Sequence, residues 1–412
     1  MAKCNVNTNE RFADIQMLRY ELKGFEDLSL NQKLYIFCLA KATLMGRDIT
    51  FDQQGKYNLR IRKTLETVYL HYEGDRECEE FKAFEVYLKR IWFASGIHHH
   101  YGCEKFKPGF SEEYFYHLLE NIGEELLPIK RGETKEDLMR QLESILFDPV
   151  VMPKRVNQTD GEDLVQTSAC NFYEDVTQEE VERFYAKMKN TDNPNPPSYG
   201  LNSKLTKRNN EVVEMTWKED GLYGETIREI VSWLLKAQKY AENEGQKHVI
   251  DLLVKFYRTG SLEDFDRYSI AWVEQHEGLV DFINGFIEVY GDPLGMKGTW
   301  EGIVEYKDLE ATKRTQTISQ NAQWFEDHSP VDPRFRKPEV KGVTANVICA
   351  AMLGGEEYPA YAIGINLPNS NWIRQEHGSK SVTIGNLTDA TTRLHRATDS
   401  EMNSSSTRKP WR

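Results

Sequence analysis

The side chains with the most evident chemistry are three consecutive histidines, in the run Gly96-Ile97-His98-His99-His100-Tyr101. In an extended segment His98 and His100 share one face and His99 points the other way, so two imidazoles at most could meet one metal ion. Spacing supplies no third ligand, and the plainer expectation is a polar loop or cleft wall with solvated imidazoles. A second candidate, His276-Glu277-Gly278-Leu279-Val280, begins like the helix of a zinc protease but has Val280 where the second histidine must stand. Two imidazoles one helical turn apart fix the ion, so this half motif reads as a surface loop leading into a strand. None of the ten histidines forms an H-E-x-x-H or H-E-x-x-x-H pair. There is no G-x-S-x-G elbow, no context for a nucleophilic cysteine, and no Walker or Rossmann glycine pattern. The expectation from motifs is therefore no catalytic residue and no metal ligand, in a soluble α+β protein.

Composition narrows the partners. The 412 residues hold 65 acidic against 52 basic side chains, a net charge of -13 that repels phosphate backbones and anionic lipid, so nucleic acid and membrane surfaces are disfavoured. Six cysteines (Cys4, Cys38, Cys78, Cys103, Cys170, Cys349) are scattered without a C-x-x-C pair, as suits reduced, mostly buried thiols. No apolar run reaches the length of a membrane span, and Met1 to Arg11 is polar, so the chain as it stands reads as cytoplasmic. A start codon further upstream would open a periplasmic or lipoprotein destination instead.

The elements that must position any site are helical first. Ser29-x-x-Gln32, followed by Leu34, Phe37, Cys38 and Ala42, reads as a capped amphipathic helix ending near Gly46. Further helices are expected over Leu59 to Tyr72, Glu79 to Phe93, Ser111 to Leu127, Lys135 to Phe147 and Thr177 to Lys189, the last with its own capping box. Asn190 to Ser203 packs three prolines among turn formers and reads as a loop or hinge. Glu211 to Trp217 looks like a strand, and helical periodicity returns at Gly224 to Ala241, Gln246 to Tyr257 and Ser261 to Gln275. The remaining strand candidates are Leu279 to Tyr290, Tyr361 to Leu367 and Ser381 to Ile384, with a helical insert at Val304 to Phe325.

Three stretches carry a resemblance. Gly46 to Ile49, Lys56 to Arg62, Tyr87 to Phe93 and Gly96 to Tyr101 form the first; Gly278 to Glu288 with Tyr290-Gly291-Asp292-Pro293-Leu294-Gly295 form the second; Ala362 to Asn369 with Gly378 to Asn386 form the third. Together, in order over about residues 12 to 390, they resemble the dipeptidyl peptidase III family, in its Bacteroides-like bacterial branch. The resemblance implies an α+β fold: a mainly helical lower lobe with a small β-barrel, plus an incomplete piece of a helical zinc-binding upper lobe. It divides the chain into a polar tail over 1–14, lower lobe over 15–301, an upper-lobe segment over 302–341, a return to the lower lobe over 342–390, and a tail over 391–412. It implies a zinc-dependent enzyme that removes dipeptides from the N-terminus of oligopeptides. An oligopeptide is implied to lie as an added strand along Gly364, Ile365, Asn366 and Leu367, with Asn366 and Asn369 holding its N-terminal end and Asp281 as the acid for the free α-amino group. For Asn366 and Asn369 the residues alone suggest turn chemistry around Pro368. Ile283 stands where some family members have a tyrosine.

The family's zinc segments, H-E-x-x-G-H and a later glutamate segment, are absent from this sequence. Zinc is thus implied for the complete family enzyme and none is expected in this chain, which is expected to be inactive alone. The alternative is a peptide-binding lobe that does not cut. The basic, serine-rich tail Thr391 to Arg412 looks unlike the family; codons exist that encode it and, with one base restored at Ala390, encode DAYNKAAPGNGFGNEFVVDEK, which resembles the family's continuation. The expectation is a frameshifted tail, against a natural disordered one. Exposed apolar surface on the Val304 to Phe325 helix is expected to invite aggregation or chaperones.

Overall fold

The computed structural model describes residues 10–189, 192–340, 343–356 and 362–392. It is a mixed α+β fold in which helices dominate the first half. Helix Leu30–Met45 opens with a reciprocal capping box between Ser29 and Gln32, and Gln178–Ala186 opens with one between Thr177 and Glu180. Helices Asn58–His71, Glu79–Ala94, Glu112–Leu119 and Lys135–Phe147 enclose one core, built on Leu65, Phe84, Leu88, Ile91, Phe115 and Leu142. Ser111 to Leu127 is not one helix: it stops at Leu119 and resumes as a 3-10 turn at Glu124–Leu126.

A second core joins helices Leu30–Met45, Gly224–Gln238, Glu244–Thr259 and Leu262–Glu274 to a five-stranded sheet, through Tyr35, Leu234, Leu253, Phe286, Trp300 and Ile303. The sheet runs in the order Val280–Glu288, Thr299–Lys307, Val343–Gly355, Ser379–Ile384, Gly364–Leu367. Its pairings are antiparallel except that Ser379–Ile384 runs parallel to Val343–Gly355, in the register Ser379↔Val343 to Ile384↔Ile348.

Two strands differ from the sequence reading. Thr299–Lys307 takes in the residues expected to start a helix at Val304; the helix begins at Leu309. Its positions from Thr299 to Tyr306 are all buried, including Glu301 and Glu305, so the period-2 alternation that announces a half-exposed strand is missing. Residue 302, the expected passage to an upper-lobe segment, lies inside this strand, and helix Leu309–Gln320 packs back on the sheet through Thr312 and Val347. Of the expected strand Tyr361 to Leu367, Tyr361 lies outside the described residues and the strand starts at Gly364.

The small barrel is not closed among the described residues. The sheet is open, with Val280–Glu288 on one edge and Gly364–Leu367 on the other. It curls, because Lys380 on the fourth strand reaches Asp281 on the first at 2.8 Å. The physical reason that the seam stays open is that helix side chains already take the first strand's outer backbone groups: Gln246 Nε2 donates to the Val280 carbonyl at 2.8 Å, and Tyr268 bonds the backbone of Asn284. No helix among the described residues is long and apolar enough to cross a membrane. The five described cysteines are free thiols.

Candidate functional site

The open seam is a cavity of about 840 Å³. Its walls are helix Leu262–Glu274 (Phe265, Asp266, Tyr268, Trp272), the first strand (Ile283, Ile287, Glu288), the end of the edge strand (Leu367, Pro368, Asn369) and the loop Leu294 to Met296. The proline-rich segment supplies the remaining wall through Pro196, Pro197 and Tyr199, so the expected hinge loop contributes directly to the site. A large, mainly apolar cavity with a few converging polar groups is the usual form of a small-molecule or peptide-end site.

The edge strand supplies the polar part. Ile384 N–H donates to the Ile363 carbonyl at 2.8 Å, and the antiparallel register continues with Val382↔Ile365 and Lys380↔Leu367. Ladder bonds in such a pair fall on alternate residues, here 363, 365 and 367. Gly364 and Asn366 therefore turn their backbone N–H and C=O groups to the side that no other described strand pairs. Gly364 and Asn366 are exposed, Ile365 is half-buried and Leu367 is buried against the core. The Asn366 carboxamide oxygen accepts from Ser381 Oγ at 3.0 Å, which leaves its NH₂ group outward-facing on the exposed side.

Asp281 has three partners within the chain. Its carboxylate accepts from Lys380 Nζ at 2.8 Å, Trp272 Nε1 at 3.1 Å and its neighbour's N–H, Phe282 N, at 2.8 Å. Lys380 is 4% exposed and lies 4.4 Å from the centre of the Trp272 ring, so Asp281, Lys380 and Trp272 touch one another beside the cavity wall that Trp272 forms. Directly across the ladder from Asp281, Glu305 is wholly buried, and burial with the nearby Asp281 charge pushes its carboxyl up to about 8.

Asn369 lies on the cavity wall, and its amide bonds the carboxylate of Glu288. Glu288 is half-buried; burial foremost, and the charge of Glu356, raise its carboxyl above the usual range while the Asn369 amide opposes them. Sequence reasoning missed Glu288, Lys380, Trp272 and Asp266. Burial, helped by Glu263, pushes the Asp266 carboxyl up to about 7. Glu288 and Lys380 gain their meaning from partners 81 and 99 positions away, and Trp272 and Asp266 from the burial that the fold imposes, so no local pattern signals them.

The histidines do not form a metal centre. His98 is buried with Nε2 at 2.8 Å from the Met152 carbonyl, and burial foremost, with Arg155 and Lys105 nearby, drives its pKa down to about 4. His99 Nδ1 accepts the N–H groups of Tyr101 and Gly102, closing a tight turn. His98 is therefore a core histidine, not the solvated imidazole expected. His276 sits in the loop before the first strand, as expected. Among the described residues no group of three or more His, Cys, Asp or Glu side chains could hold a metal ion. Zinc therefore does not fit this set of residues, and no chemical step is assigned to it.

The sequence profile of peptidase family M49 matches residues 171–407, reaching into the tail that looked foreign, of which 393–412 lie outside the described residues. Dipeptidyl peptidase 3 of Rattus norvegicus is 26% identical over 404 residues, taking in 89% of this chain and 53% of the relative. That of Mus musculus is 26% identical over 401 residues with the same coverage. The solved structure of DPP III from Caldithrix abyssi matches with a TM-score of 0.64 at 17% identity, over 90% of this chain and 57% of its own, a likeness of fold. The chain spans about half the length of the curated relatives it matches.

Proposed function

Because the chain belongs to peptidase family M49, within the dipeptidyl peptidase III group, we propose that its described residues are the peptide-holding part of a zinc-dependent enzyme that removes dipeptides from oligopeptide N-termini. The observation that carries this reading is the edge of Gly364–Leu367 that no other described strand pairs, opening onto the cavity at Asn369. An oligopeptide added there as a strand meets the outward backbone groups of Gly364 and Asn366, and main-chain hydrogen bonds grip it whatever its sequence. Each such bond contributes about 1 kcal/mol net, so affinity must also draw on the apolar cavity. Ile365 and Leu367 fix the strand on the core, Asn366 and Asn369 orient the peptide's first residues, and Asp281, which also holds Lys380 and Trp272, is the acid for the free α-amino group.

In the same reading, residues 15–301 and 342–390 belong to a lower lobe, whose sheet also takes in the strand as far as Lys307, and the rest of 302–341 leads to an upper, zinc-binding one. The exposed Leu309, Ile318, Trp324, Phe325, Val331 and Phe335 support a covering surface there, or chaperone binding where it is bare. The alternative, holding without cutting, is favoured for the 412-residue chain by its lack of a metal-fitting group among the described residues. The two separate on turnover of a dipeptidyl-naphthylamide. Peptide binding with no release of naphthylamine supports holding alone, whereas hydrolysis by the purified 412-residue protein overturns it.

A further inference from the structure

We propose that a cavity between the two hydrophobic cores is a second ligand site, one for a small monocarboxylic acid with an aromatic or branched apolar body, held through Arg62 and Thr50. Its walls share no residue with the peptide cavity, so it stands apart from the peptide-holding reading.

The cavity measures about 390 Å³. Phe51 of the first core forms one wall, and Met352 and Leu353, packed on the second core, form another. Leu44 and Trp92 are exposed at its mouth. It also gathers residues from the first of the three resembling stretches: Arg47, Arg62 and Trp92 come from Gly46 to Ile49, Lys56 to Arg62 and Tyr87 to Phe93, and strand addition at Gly364–Leu367 uses none of them. Helix Arg47–Gln54 brings Thr50 and Phe51, and helix Asn58–His71 brings Arg62 and Glu66, one turn apart on one face.

Two buried donors on these walls lack acceptors. Arg62 is 3% exposed, and its guanidinium carbon lies 4.5 Å from the centre of the Phe51 ring. Its Nη2 pairs with Asp48 at 2.9 Å and its Nε lies 3.5 Å from Glu66, whereas Nη1 has no hydrogen-bond partner among the described residues. Thr50 is 1% exposed, and its Oγ1 likewise has none. Buried donors left unsatisfied are costly, and an occupant that brings acceptor oxygens removes the cost. A carboxylate brings two, in the plane that a guanidinium favours. Asp48 and Glu66 hold the guanidinium by its other nitrogens, and of the charged residues on the walls two are arginines, Arg47 and Arg62, against one acid, Glu66. Glu66 also accepts from Trp92 Nε1 at 2.8 Å, which fixes the indole at the mouth. A single water, whose share of liquid volume is about 30 Å³, would leave most of the apolar space bare, so the occupant needs an apolar body as well.

The test titrates 3-phenylpropionate, and its uncharged counterpart 3-phenylpropionamide, into the full 412-residue chain by calorimetry. Wild type is expected to bind the acid about tenfold more tightly than the amide. Thr50→Val deletes the unpartnered hydroxyl at nearly constant shape, and is expected to weaken the acid by about three- to tenfold with no loss of melting temperature. Leu44→Glu sets a carboxylate at the exposed mouth and is expected to erase the preference for the acid. Leu70→Glu puts the same charge at an exposed position of helix Asn58–His71 away from the walls, and is expected to leave the preference whole. Arg62 stays in place throughout, because its loss would also strip Asp48 of its buried partner. Melting curves show that each variant is folded, and the ratio of the two affinities is insensitive to a partly unfolded fraction. An acid bound no more tightly than the amide, or no binding of either, shows a cavity that holds water only and overturns the proposal. A preference that survives intact in both Thr50→Val and Leu44→Glu places the acid elsewhere and overturns it too, as does equal loss in Leu70→Glu, which makes the preference an effect of overall charge.

Discussion

Asp281, on the first strand of the sheet, holds Lys380, on the fourth, at 2.8 Å across a sheet that stays open among the described residues. The pair is the bolt that keeps the curl, since 99 residues separate the two positions and no ladder joins their strands. Removing the carboxylate strands a buried ammonium. Asp281→Asn is accordingly expected to destabilise the protein by about 3 kcal/mol in urea unfolding, and Lys380→Met by clearly less, because methionine leaves only a partly exposed carboxylate behind. Equal, small effects would show that the pair does not hold the curl.

Glu305 gives a pH dependence with a definite sign. Its carboxyl is raised to about 8 in the fold against an ordinary value of 4.5, so between these values the native state binds more protons than the unfolded one. Stability from this group is complete below about pH 4.5 and falls as pH rises through 8. Glu305→Gln, which is neutral and isosteric, is expected to flatten the decline between pH 5 and 8 by a few kcal/mol, read from urea midpoints at several pH values. An unchanged slope would contradict it.

The histidine run serves packing. With His98 buried against the Met152 carbonyl, His98→Ala is expected to cost about 1 to 3 kcal/mol in stability. The double change of His98 and His100 to alanine is expected to leave the metal content of the purified protein unchanged. Loss of a stoichiometric metal in that variant would restore the histidines as ligands.

Much of the helical frame is written locally. Ser29 with Gln32 and Thr177 with Glu180 were legible as capping boxes because each motif closes within four residues. Thr177→Ala is expected to cost about 1 kcal/mol for the same reason. The edge strand was legible as the apolar run Tyr361 to Leu367, but its proposed role and that of Asn369 were reached only through resemblance, since four residues followed by proline also look like a turn. Thr299–Lys307 escaped because both its faces are buried and it carries Glu301 and Glu305. The partnership of Asp281 with Lys380, and of Glu288 with Asn369, joins residues 99 and 81 positions apart, which no local pattern encodes.

The central claim is that an oligopeptide adds as a strand to the outer edge of Gly364–Leu367, and the most direct test is Asn366→Pro. Proline removes the outward N–H while the ladder residues Ile365 and Leu367 keep their bonds to Ser379–Ile384, and edge strands tolerate proline on the unpaired side. Titration of a C-terminally labelled pentapeptide into the 412-residue protein is expected to give at least tenfold weaker binding to Asn366→Pro than to wild type, with the same melting temperature. Equal affinity in the two proteins would contradict strand addition at this edge.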